Sequence, residues 1–143
     1  MSVTARRLTR PEVNLIVVAG RLTGEDLDAV ARAAEASVIT PDRHTLAYFR
    51  GDASVEGLPL SAMARLRHAL RGPERMRDAR PDRRIALVSP ALASEPLMKL
   101  WTAFATAGEG RIAETRAFRT FAAAAGWLGL NGVDLDVLLQ LAA

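Results

Sequence analysis

His44 and His68 are the two imidazoles of the chain, and neither stands near a serine or aspartate in a nucleophile pattern. One lies beside a turn and the other on an arginine-rich helix, so both read as surface residues. Cysteine is absent, which removes thiolate nucleophiles, sulfur-based zinc sites and disulfides. The nearest approach to a metal pair is Asp134-x-Asp136, where Asp134 reads better as the cap of the last helix. Gly108-Glu109-Gly110 lacks both the further glycine and the Lys-Ser/Thr of a nucleotide cradle, and reads as a helix-to-strand turn. The side chains therefore predict no enzyme, no metal site and no cofactor.

Binding is better represented than catalysis. Trp101, Phe104, Phe121 and Trp127 have the bulk to line an apolar ligand pocket between helices and sheet, although large apolar residues on helix stripes more commonly fill a core. Between Arg65 and Arg84 stand eight arginines against Glu74, Asp78 and Asp82, more than the whole-chain excess of +3. Such a cluster could neutralise phosphates, but no aromatics interleave it, so a solvated face is favoured and nucleic acid is not the expected partner. The tail from Val133 to Leu141 is apolar on nearly every side and must cover something, which predicts a docking or dimerisation helix.

The elements that position these residues follow from periodicity and breakers. Val3–Leu8 and Val13–Gly20 read as strands joined by a turn at Arg10-Pro11-Glu12. Thr23 caps a helix whose Leu27, Val30, Ala31 and Ala34 recur at helical spacing. Strands follow at Thr45–Phe49, Ile85–Val88 and Ile112–Phe118. Helices start near Leu60 or Ser61, near Ser94 or Glu95, and after Thr120. Two strands followed by alternating helix and strand predict an α/β fold: a four- to five-stranded mixed, mainly parallel sheet with helices packed on it.

At 143 residues, half of them hydrophobic, the chain is sized for one domain with its own core. No apolar run approaches the roughly 18 residues that span a bilayer, and the run after Arg6, Arg7 and Arg10 is too short for a signal sequence. The cytoplasm is the expected location. Of the 19 cationic residues only Lys99 is a lysine, a bias that with abundant alanine fits GC-rich bacterial coding.

Val18-Ala-Gly-Arg-Leu-Thr-Gly-Glu-Asp-Leu27, Arg84-Ile-Ala-Leu-Val88, Arg116-Ala-Phe-Arg119 and Gly126-Trp-Leu128 occur in that order. Together they resemble the SpoIIAA-like (STAS-like) domain proteins over about Val13 to Leu130. The resemblance implies a sheet backed by helices over residues 1–130, with 131–143 as an apolar helical extension of the same domain. Its implied roles are protein-protein regulation, as in anti-sigma factor antagonists, or binding of small apolar molecules, as in related lipid-transfer folds. Antagonists of that kind carry an Asp-Ser-Ser-Gly-like phosphorylation signature after the third strand. Here the segment reads Gly51-Asp-Ala-Ser-Val-Glu-Gly-Leu-Pro-Leu-Ser61, so Ser61 is the positional stand-in for the phosphosite and Ser54 a weaker one. A phosphate there would be favoured by a helix N-terminus and Arg65; a plain N-cap serine, which needs no phosphate, is the favoured reading. The sequence thus predicts a non-enzymatic module that binds a protein partner or a second copy of itself, with a lipid-like ligand carrier as the alternative.

Overall fold

A computed structural model of the chain describes residues 3–36, 38, 40, 42–51, 53, 61, 64, 83–90 and 114–142. Its strands are β1 (Val3–Leu8), β2 (Val13–Val18), β3 (His44–Phe49), β4 (Arg84–Val88) and β5 (Glu114–Phe118). The helices are α1 (Gly24–Glu35), α2 (Phe121–Trp127) and α3 (Gly132–Ala142). All five strands join one sheet in chain order. β1 runs antiparallel to β2, with Val3 opposite Val18 and Leu8 opposite Val13, and β2 to β5 are parallel. The predicted neighbours 45–49 and 85–88 lie side by side, Thr45 opposite Ile85 and Tyr48 opposite Val88.

Alternation along the strands sorts the apolar residues into two cores. Val18, Ala47, Phe49, Ile85 and Leu87 point to one face, where Leu22 and α1 contribute Leu27, Val30 and Ala31. Their neighbours Val13, Leu15, Leu46, Ala86 and Val88 point to the other, where α2 and α3 supply Phe121, Ala124, Leu138 and Ala142. Strands covered on both faces need apolar residues at successive positions, which is why β2 and β4 read as continuous runs rather than as alternating patterns. Each fully buried Leu or Val contributes on the order of 1.5–3 kcal/mol, so the central strands anchor the domain. Among the described residues no helix is long and apolar enough to cross a membrane.

One local device starts two of the helices. At α1 the Thr23 hydroxyl accepts the Asp26 N–H at 3.2 Å while the Asp26 carboxylate accepts the Thr23 N–H at 2.8 Å. The flanking Leu22 and Leu27 both join the first core, a reciprocal box with a hydrophobic staple. At α3 the same spacing recurs as Leu130-Asn131-Gly132-Val133-Asp134-Leu135: Asn131 accepts the Asp134 N–H at 2.8 Å and Asp134 accepts the Asn131 N–H at 3.2 Å. Asp134 is therefore not the cap, as the sequence had suggested; Asn131 is, and Asp134 closes the box from the first turn. Thr120 caps α2 as expected, accepting the Ala123 N–H at 3.2 Å. That helix ends with the Leu130 N–H on the Ala125 carbonyl and the Gly129 N–H on that of Gly126. Gly129 takes φ +77 there, the left-handed conformation that this ending requires and that glycine adopts without strain.

Candidate functional site

Polar side chains gather at the N-terminal ends of β2, β3 and β4. Asn14, fully buried, donates from Nδ2 to the Thr40 carbonyl at 2.7 Å and the Thr45 hydroxyl at 3.2 Å. Its Oδ1 accepts the Thr40 N–H at 3.3 Å. Arg83 donates to the same Thr45 hydroxyl at 3.1 Å and to the Arg43 carbonyl at 3.3 Å. Arg43 in turn reaches the Leu8 carbonyl at 2.7 Å and the Asp42 carboxylate at 3.2 Å, with Glu12 at 3.8 Å. Asp42 also accepts the Thr40 hydroxyl.

Two surface expectations are corrected here. His44 is buried: β3 begins at that residue, and its Nδ1 accepts the Arg84 N–H at 2.9 Å where β4 starts. Accepting at Nδ1 fixes the neutral tautomer with its proton on Nε2. Arg83 is only 6 % exposed, so the solvated face predicted for residues 65–84 fails at its C-terminal end, where the guanidinium ties β3 to β4. Burial pushes Arg83 down to about 10, with Asp42 pulling the other way; the group stays cationic at neutral pH. His68 and residues 65–82 lie outside the described residues.

The Asp42 carboxyl is held down to about 2, first by the Arg43 side chain and then by the Thr40 hydroxyl, against the opposing effect of burial. A depressed carboxylate adds stability that is present above its unfolded value of 3.8 and is lost as pH falls towards 2. Its side chain is 48 % exposed, and solvent screening reduces the contribution to about 1 kcal/mol or less. Asp42→Asn should therefore lower the urea midpoint at pH 7 and leave it unchanged near pH 2. An equal loss at both pH values would show that the ion pair is not the source.

The arrangement is suited to holding the chain together. Ligands of open parallel sheets sit beyond the C-terminal strand ends, whereas this cluster closes the N-terminal ends and its members bond to one another. Among the described residues no group of three His, Cys, Asp or Glu could hold a metal.

Of the pocket and phosphosite residues singled out from the sequence, Ser61, Phe121 and Trp127 fall among the described residues. Ser61 has helical backbone and is exposed. Trp101 and Phe104 lie outside the described residues. Phe121 packs on Tyr48, ring centroids 4.5 Å apart, and Trp127 on Phe118 at 5.5 Å, so these two helix aromatics meet strand aromatics rather than each other. Trp127 lies beneath the Arg84 guanidinium at 5.0 Å and that of Arg116 at 5.4 Å. Arg84 also donates to the Trp127 carbonyl, a cation on the last turn of α2 where helix dipole and ring both favour it. Arg84 ended the basic cluster in the sequence, and nothing in its spacing pointed to Trp127.

No protein-family profile matches the sequence, and no curated protein is significantly similar to it. Among solved structures it is similar to the crystal structure of an uncharacterized protein of the DUF3478 family with a SpoIIAA-like fold, from Shewanella loihica PV-4. The two share 17 % identity over 88 % of this chain and 91 % of that one, with a TM-score of 0.51. The fold is SpoIIAA-like. The pieces that carry the sequence resemblance fall on the end of β2 and start of α1, on β4, on the end of β5 and on the end of α2.

Proposed function

We propose that this SpoIIAA-like domain is a non-enzymatic binding module of the cytoplasm, acting on a protein partner or a second copy of itself. The observation that carries this reading is the occupation of the buried polar groups. His44 holds a backbone N–H of β4, Asn14 holds both backbone groups of Thr40, and Arg83 bridges Arg43 and Thr45. Among the described residues, these buried groups of the types used as bases or electrostatic stabilisers are thus engaged in fastening strands, which supports a reading in which surfaces do the work.

Native mass spectrometry of the intact protein tests the reading. A ligand-free species, alone or as a homodimer, is expected, whereas a co-purifying lipid would overturn it in favour of an apolar pocket built with Trp101, Phe104, Phe121 and Trp127. In the regulated form of the proposal, Ser61 is the phosphosite: exposed on helical backbone downstream of β3, it is open to a kinase. A partner isolated with the wild-type chain should bind Ser61→Asp with about tenfold altered affinity. Unaltered affinity would remove the phosphoswitch.

A further inference from the structure

β1 ends the sheet, paired through its six residues to β2 and, among the described residues, to nothing on its other side. An edge strand presents a row of backbone N–H and C=O groups that only another extended chain matches. Its charge is one-sided. Arg6, Arg7 and Arg10 fall within the first eleven residues, which hold no acid. All three are exposed, and among the described residues none of their side chains forms a hydrogen bond or ion pair. Arg6 pairs in register with Leu15 and Arg7 with Asn14, so the two side chains stand on opposite faces of the strand.

Resting on the partner-binding reading above, we propose that β1 is a strand-addition edge for an extended acidic segment of a protein partner, with Arg6 and Arg7 meeting carboxylates on the two faces. Charge selects the occupant. Antiparallel pairing of two β1 edges would bring four arginines into one ladder, and like charges across a ladder destabilise it; the same arginines that keep a second copy away are matched by adjacent acids. Nucleic acid would answer the charge but not the alternating backbone donors and acceptors.

The probe is a labelled peptide of about ten residues, rich in Val and Thr with a central Glu-Glu, the length needed to span such an edge; its Lys-Lys counterpart is the control. Wild-type protein should bind the acidic peptide and not the control, with slowed amide exchange confined to Val3–Leu8. Arg6→Thr/Arg7→Thr keeps β propensity and exposure and should weaken binding about tenfold or more. Equal binding by that variant, protection mapping to β5 or a helix, or equal displacement by duplex DNA would overturn the assignment. A natural partner retained by the double variant would refute the edge while leaving the partner-binding reading intact.

Discussion

Removal of residues 131–143 is expected to abolish cooperative unfolding. α3 inserts the fully buried Leu138 and the buried Ala142 into the second core, with Leu135 and Leu141 packed beside them. Truncation would open to water the face that Val13, Leu15, Leu46 and Val88 share. Loss of one buried leucine side chain costs about 2–5 kcal/mol; loss of the whole helix approaches the 5–15 kcal/mol that holds a typical domain together. A truncated chain should bind a hydrophobic dye and show no sharp thermal transition. Leu138→Ala keeps the helix and should lower the melting temperature by roughly 6–12 °C for a loss of about 3 kcal/mol. Val133, 73 % exposed, is the control, its Ala variant staying within about 0.5 kcal/mol. An unchanged melting point in the truncated protein would show that α3 covers nothing.

The part of this architecture that sequence could reveal is the part written in local chemistry. Strand positions 45–49 and 85–88 were legible because β-branched and aromatic runs bounded by Pro, Gly and charge have few other conformations. The cap at Thr23 was legible because its acid lies three residues on, and the cap at Asn131 would have been legible by setting Leu22-Thr-Gly-Glu-Asp-Leu27 beside Leu130-Asn-Gly-Val-Asp-Leu135. The apolar tail was read as a docking or dimerisation helix, whereas Leu138 and Ala142 cover this chain's own sheet; that depends on parity, because Leu46 and Ala86 must share a face, and only register fixes that. His44 and Arg83 were misread for the same reason. His44 sits one residue and Arg83 two residues before a strand-like run, where polarity suggests solvent, yet strands starting at His44 and Arg84 place both against a neighbouring strand's first hydrogen bonds. Of the four aromatics of the candidate pocket, Phe121 and Trp127 are the two within the described residues, and helical spacing says which stripe they occupy, not which strand residues meet them.

Asn14 is the position at which sequence gave least warning and substitution should matter most among single polar residues. It interrupts the apolar run from Val13 to Val18, fully buried, and its amide completes the backbone of Thr40 with both a donor and an acceptor before sharing the Thr45 hydroxyl with Arg83. Asn14→Ala removes all three bonds and leaves the Thr40 N–H and carbonyl without their partner in a part-buried site. At about 1–3 kcal/mol for each stranded group, a loss of about 3 kcal/mol is expected, read as a lower urea midpoint with an unchanged slope. Asn14→Asp separates hydrogen bonding from packing. The carboxylate can still accept the Thr40 N–H but cannot donate to the carbonyl, and burial raises its pKa above the unfolded value. Stability of that variant should therefore recover as pH falls through the raised folded pKa, because protonation restores a donor and removes a buried charge. A variant equally unstable at pH 7 and pH 5, or an Asn14→Ala loss below about 1 kcal/mol, would mean that water replaces the amide and that the cluster does not hold these strand ends together.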